Sequence, residues 1–187
     1  MSELKTLYVS ERKAWRAWLE KNFDREKEIW LVYPKKSSGR PCILYNDAVE
    51  EALCFGWIDS QYKPLDEHAR LHRYSPRRPR SKFSQQNRER LAWLLEHGLL
   101  HPSVVESAKE VLNEPYVFPP DIIDAIRADK LAWENYQAFS EPYKRIRVAW
   151  IEAARPRPEI LQQRLEHFLK KSRENKLIGF GGIEKYY

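Results

Sequence analysis

Between Arg70 and Arg90 lie eight basic side chains, Arg70, Arg73, Arg77, Arg78, Arg80, Lys82, Arg88 and Arg90, against a single acid, Glu89. The segment carries +7 while the whole chain carries +6, so everything else sums to −1. Cations at this density suit the recognition of phosphate or carboxylate, arginine through paired N–H donors and lysine as a point charge. Ser84 adds a hydroxyl at the expected start of a helix, where the first amides lack intrahelical acceptors and carry the positive end of the dipole. Trp57 and Asp59 precede the loop on an expected strand; the ring offers a stacking surface and the carboxylate can orient an arginine. The candidate ligand-binding residues are therefore Trp57, Asp59, Arg73, Arg77, Arg78, Arg80, Lys82 and Ser84. The plainer alternative is a solvated loop whose arginines pair with Asp59, Asp66, Glu67 or the acidic segment 99–143, beside a Trp57 that fills the core.

Other chemistries find less support. His68 and His72 are four apart but fall in an expected hairpin, where that spacing does not align two metal ligands as a helix would. No GxSxG elbow surrounds any serine, and Gly179 to Gly182 lacks the preceding strand and spacing of a dinucleotide fingerprint. No catalytic residue, metal or cofactor is assigned. Cys42 and Cys54 are too few for a disulfide framework, and Cys54 sits in an apolar helical run as a small core residue. A second basic block, Lys144, Arg145, Arg147, Arg155 and Arg157, reads as the solvated side of a helix.

The elements that must position these residues follow from periodicity and turn chemistry. Ser10 is expected to cap a helix over about 11–22 with Trp15, Trp18, Leu19 and Phe23 on one stripe. Glu28 to Tyr33 reads as a strand and Cys42 to Tyr45 as a short partner strand. Asn46 or Asp47 then caps a helix that Gly56 ends in the left-handed conformation. Trp57 to Lys63 is a strand whose alternation places Trp57, Asp59 and Gln61 on one face and Ile58, Ser60 and Tyr62 on the other. Pro64 to His68 makes a hairpin loop, Ala69 to Tyr74 a return strand, and Pro76 and Pro79 keep the arginine-rich piece irregular. Ser84 caps a helix over about 85–97 that ends at Gly98, and another follows over about 102–112.

Three prolines in Asn113 to Pro120 interrupt any periodic element and mark a linker. The reading is thus an α+β domain over 1–114, with a small, mostly antiparallel sheet and packed helices, and an all-helical C-terminal region over 121–187 docked on it. Trp133, Tyr136 and Phe139 mark one helix of that region, Tyr143, Ile146, Trp150 and Ile151 a second, and Leu161, Leu165, Phe168 and Leu169 a third. A chain of 187 residues with seven Trp, ten Tyr and seven Phe buries a sizeable core without staples. No apolar run reaches the roughly 20 residues needed to cross a membrane, and no secretory signal is visible at the start, so a cytoplasmic setting is expected.

EEALCFGWIDSQ (Glu50 to Gln61), RYSPRRPRSKFS (Arg73 to Ser84), EIWLVYPKKSSG (Glu28 to Gly39) and YKRIRVAWIEAARPRP (Tyr143 to Pro158) together resemble the YdeI/OmpD-associated family, also described as bacteriocin-protection proteins. The resemblance implies an α+β N-terminal domain followed by helices, a link to bacteriocin or envelope-stress protection, and a periplasmic location that the visible N-terminus does not suggest. It carries over no catalytic residues; the matching motif positions are Gly56, Trp57, Ile58, Asp59, Pro76, Arg77, Arg78 and Ser84.

The leading expectation is a non-enzymatic protein that binds an anionic small molecule or an acidic protein surface through the basic loop and the following helix start. The alternative is an enzyme acting on a phosphorylated or carboxylated substrate, with Asp59 as acid/base and Arg77 and Arg78 as its clamp. A third reading, single-stranded nucleic-acid binding, requires exposed aromatic rings along a basic groove.

Overall fold

The spacing of Trp15, Trp18 and Leu19 becomes one face of helix α1 (Arg12–Asn22), with Trp15 and Leu19 fully buried. The computed structural model describes residues 4–78, 81–179 and 183–186, which fall into two compact units. One holds the chain up to Lys82 together with Leu91–Glu110; the other holds Phe83–Arg90 together with Val111 onward.

The first unit is built on a four-stranded sheet of β1 (Thr6–Leu7), β2 (Ile29–Pro34), β3 (Trp57–Pro64) and β4 (Ala69–Pro76), in the order β1-β2-β4-β3. The β2–β4 and β3–β4 pairings are antiparallel and β1 joins β2 in parallel, so the sheet is mixed. Ile29 opposes Tyr74 and Leu31 opposes His72, which places these four on one face. That face receives α1: Trp15 meets Tyr74 edge-on at 5.4 Å and Trp18 meets Trp57 edge-on at 5.9 Å. Burying aliphatic partners such as Leu19 and Ile29 there contributes on the order of 2 kcal/mol each. Trp57 also donates its indole N–H to the Phe23 carbonyl at 3.0 Å, so the ring is both packed and hydrogen-bonded.

Helix α2 (Tyr45–Cys54) packs beside α1 through a polar clamp. The Arg12 guanidinium pairs with Asp47 at 3.1 Å, Glu50 at 2.8 Å and Glu51 at 2.5 Å, and Arg16 meets Glu51 at 2.7 Å. Glu50 and Glu51 are buried, so these cations hold two carboxylates that could not otherwise stay ionised away from water. Gly56 ends α2 at φ +71°, as its position predicts.

Several local expectations are corrected. The N-cap of α1 is Glu11 rather than Ser10, and that of α2 is Leu44 rather than Asn46 or Asp47; neither makes a side-chain cap. Residues 42–44 are irregular and Tyr45 already belongs to α2, where Asp47 can reach Arg12; an apolar run of four fits either outcome. Between Asp59 and Tyr62 the register shifts, because Ser60 and Gln61 together oppose the single residue Arg73. This bulge reverses the alternation beyond it, and Tyr62 joins the face of Asp59 instead of that of Ile58.

Helix α3 (Gln85–Glu96) gives its first six residues to the second unit and buries Leu91 and Leu94 in the first, which α4 (Pro102–Asn113) follows. Ser84 caps α3 as expected, accepting the Asn87 amide at 3.3 Å, and Gly98 ends it at φ +64°. The second unit continues as α5 (Pro120–Ala128), α6 (Lys130–Ala138), α7 (Glu141–Glu152) and α8 (Pro158–Arg173). Thus one helix, α5, precedes the three that the apolar pattern marks. Ile122, Ile126, Tyr136, Tyr143, Ile151 and Phe168 share its core, and Asp129 and Ser140 cap α6 and α7 through Ala132 N–H and Tyr143 N–H.

Candidate functional site

A cleft of about 780 Å³ opens on the sheet face away from α1. Strand alternation and the bulge decide its floor. Ile58, Ser60 and Gln61 of β3 and Arg73 and Ser75 of β4 point into it. Its rim is the arginine loop, with Arg77, Arg78, Ser81 and Lys82; the opposite wall is Asp24–Lys27, the connection from α1 to β2. Among the described lining residues six are cationic (Arg25, Lys27, Arg73, Arg77, Arg78, Lys82) and two acidic (Asp24, Glu26). Low-dielectric walls around an excess of one sign concentrate the field in the opening.

These cations do different things. Arg73 is committed within the sheet: its Nε and Nη2 donate to Glu28 Oε2 at 2.8 and 2.6 Å, and Nη1 to Ser60 Oγ at 3.2 Å. Hydrogen bonding from Arg73 is the main reason the Glu28 carboxyl sits below its ordinary range. Arg77 organises the loop. Its Nη2 donates to the carbonyls of Ser81 and Lys82 and to Ser81 Oγ at 3.0–3.1 Å, while its backbone N–H reaches Gly56 O at 2.9 Å. Partial burial pulls the Arg77 guanidinium below the usual arginine value. Arg25 pairs with Asp24 at 3.6 Å and Glu26 pairs with Lys5. Among the described residues Lys27, Arg78 and Lys82 form no ion pair, and Arg78 and Lys82 are exposed. They are the cations an anion would find least engaged.

Of the eight expected site residues, Arg73, Arg77, Arg78 and Lys82 come together in this cleft. Arg80 lies outside the described residues. Ser84 belongs to the second unit, where its hydroxyl is occupied in capping α3. Trp57 is 0% exposed and presents no ring face, so the stacking role is corrected to a core role. Asp59 is on the opposite sheet face from the cleft. It accepts from the Tyr45 hydroxyl at 2.5 Å rather than orienting an arginine, which separates it from the clamp that the enzyme reading requires. The nucleic-acid reading loses two of its rings, since Trp57 and Tyr74 are buried, and no aromatic side chain lines the cleft among the described residues.

The wall formed by Asp24–Lys27 escapes a reading of the sequence, because a charged run after a helix is ordinarily a solvated turn. A second grouping also emerges only in three dimensions. His72 has the rings of Tyr33, Tyr45 and Tyr62 around it at 4.5, 5.7 and 6.1 Å, beside Asp59. Burial is the leading cause that lowers the His72 pKa, against a raising influence of Asp59. Among the described residues, no three His, Cys, Asp or Glu side chains gather as a metal ion would need.

Residues 7–107 match the family model of a domain of unknown function, DUF8412, over more than half of the chain. The chain belongs to that family. Residues 115–175, one part of the chain, match the model described as bacteriocin-protection, YdeI or OmpD-associated. The motifs at 28–39, 50–61 and 73–84, which resemble the latter family, therefore lie inside the DUF8412 match, and only Tyr143 to Pro158 lies within the YdeI/OmpD-associated one. No curated protein and no solved structure matches the chain. The basic cleft belongs to the DUF8412 part, and no helix is long and apolar enough to cross a membrane among the described residues.

Proposed function

We propose that the DUF8412 unit is a binding module for a compact anionic ligand, a phosphate-bearing small molecule or an acidic side-chain cluster, held in the cleft between the arginine loop and Asp24–Lys27. The observation that carries this reading is the convergence of six cations on one opening, three of them outside any ion pair among the described residues. Serine hydroxyls at 60 and 75 can donate neutral hydrogen bonds to the same ligand, while the Ser81 hydroxyl donates to the Arg78 carbonyl within the loop. Arg77 serves as the brace that shapes the loop; Arg78, Lys82 and Lys27 serve as the charge that attracts and holds. A link to bacteriocin or envelope-stress protection rests on the description of the C-terminal domain's family and extends this proposal to a biological setting.

The test is the double variant Arg78→Glu/Lys82→Glu against the native chain, titrated calorimetrically with pyrophosphate at low and moderate salt. Native binding that weakens as salt rises, and its loss in the variant at unchanged melting temperature, is the expected result. Absence of binding by the native chain, or equal binding by both, removes the proposal.

A further inference from the structure

Ser81 stands at the rim of the basic cleft with its side chain exposed. It lies between the end of β4 at Pro76 and the start of α3 at Gln85, so an enzyme reaches it without opening a strand or a helix. Arg77 and Arg78 precede it by four and three residues, and no other serine of the chain has arginines at both of those positions. Arginines placed before an exposed serine form a charge pattern of the kind that protein kinases select, through carboxylates of their own.

The contacts of the hydroxyl show where a phosphate would go. Ser81 Oγ accepts from Arg77 Nη2 at 3.0 Å and donates to the Arg78 carbonyl at 2.8 Å. Arg77 Nη2 also donates to the carbonyls of Ser81 at 3.0 Å and Lys82 at 3.1 Å. The guanidinium is therefore held beside Oγ by backbone contacts that a change at the hydroxyl leaves in place. Arg78 and Lys82 are exposed and form no ion pair among the described residues. The two acids of the cleft, Asp24 and Glu26, face Arg25 and Lys5 as partners.

We propose that Ser81 is a phosphorylation site whose phosphate is clamped by Arg77, and that this modification switches off anion binding in the cleft. The switch rests on the reading of the cleft as an anion site; the clamped phosphosite does not. In the transfer, Ser81 Oγ attacks the terminal phosphorus of a nucleoside triphosphate held by the kinase. The Oγ–P bond forms, the bond from that phosphorus to the bridging oxygen breaks, the hydroxyl proton passes to the kinase's base, and the nucleoside diphosphate leaves. The product carries about −1.5 to −2 at neutral pH. It gives up the bond to the Arg78 carbonyl and offers its oxygens to Arg77, with the charges of Arg78 and Lys82 on either side of it in the chain. The cations that attract an external anion are then answered from within the loop.

The experiment treats the full chain with magnesium ATP and the catalytic subunit of cyclic-AMP-dependent protein kinase, an arginine-selecting probe. Peptide mapping by mass spectrometry should find the phosphate on Ser81, and Ser81→Ala should lose it. In phosphorus NMR the phosphate should titrate with a midpoint below that of the same phosphoserine in a peptide of residues 74–84, because the neighbouring guanidinium favours the dianion. Pyrophosphate should bind the phosphorylated chain about tenfold or more weakly than the unmodified chain, with a flatter salt dependence. No phosphate on Ser81 of the full chain would overturn the phosphosite, and a midpoint equal to that of the peptide would overturn the clamp. Equal pyrophosphate binding before and after modification would overturn the switch. Absence of pyrophosphate binding by the unmodified chain would remove the cleft reading and the switch together, leaving the phosphosite to be decided by the mapping and the phosphorus titration.

Discussion

Glu28 and Arg73 are joined across the β2–β4 ladder by two hydrogen bonds, from Nε at 2.8 Å and Nη2 at 2.6 Å to the same carboxylate oxygen. The pair lies at the margin of the basic cleft and withdraws one of its six cations from use. Glu28→Gln should therefore return the charge of Arg73 to the cleft. Pyrophosphate should bind the variant several-fold more tightly than the native chain, with a steeper salt dependence, in calorimetric titrations. The stability lost should be below about 1 kcal/mol, because the pair is partly exposed and screened. Weaker pyrophosphate binding in the variant would instead mean that Glu28 holds Arg73 in the geometry that the ligand uses.

His72 supplies a pH dependence whose sign can be worked out. Burial lowers its pKa in the folded chain below the 6.5 of an unperturbed histidine. The unfolded chain therefore takes up this proton first as pH falls. The associated stability is complete above about 6.5 and declines as pH drops from there through the folded value, by at most about 1.4 kcal/mol per pH unit. The nearby charges act in opposition: Asp59 favours the imidazolium and Arg70 disfavours it. Urea midpoints measured across this window should fall with pH in the native chain and less steeply in His72→Gln. An NMR titration of the imidazole should give a midpoint below 6.5; a midpoint above it would contradict the dominance of burial.

The helices and the hairpin are legible in the sequence because their signals are local. Trp15 and Leu19 recur at helical spacing, Ser84 reads as a cap, and Gly56 stands where the chain must turn with positive φ. The bulge at Ser60 and Gln61 is not legible, since nothing in WIDSQYKP distinguishes a two-against-one pairing from regular alternation. That single extra residue turns Gln61 into the cleft and Tyr62 toward His72. The parallel pairing of Thr6–Leu7 is equally hidden, being too short to have a pattern. Half of the basic site could be read from the arginines themselves. Its other wall, Asp24–Lys27, depends on which side of the sheet the α1–β2 connection takes, which is a property of the packed fold.

Arg12 offers a test of the packing between α1 and α2. Its guanidinium faces three carboxylates, two of them buried, and these contacts outweigh burial and hold its pKa above the usual arginine value. Arg12→Ala removes the Arg12 contact from both buried carboxylates and leaves Glu51 its pairing with Arg16. The expected loss is about 3–5 kcal/mol, as for other buried pairs broken from one side. Urea denaturation should show a lower midpoint with an unchanged slope. Adding Glu50→Gln should recover part of the loss, because it removes one of the buried charges that Arg12 holds; no recovery would point to lost packing of the arginine stem.

Gly56 and Gly98 permit a comparison between stability and site. Both have positive φ, +71° and +64°, in the first unit. An added Cβ would lie 3.5 Å from Val104 Cγ2 at Gly56, which is ordinary contact, and would meet nothing within 4 Å at Gly98. Alanine at either position therefore costs mainly the left-handed backbone, about 1–2 kcal/mol. The two differ in what their peptides do. The Gly56 carbonyl accepts the Arg77 N–H at 2.9 Å and so fixes the root of the arginine loop, whereas the Gly98 N–H closes the end of α3 on Leu95 at 3.1 Å. Similar losses of stability are expected for Gly56→Ala and Gly98→Ala in urea, but only Gly56→Ala should weaken pyrophosphate binding. Equal effects of both substitutions on binding would show that the cleft responds to general loosening rather than to the Gly56–Arg77 hydrogen bond.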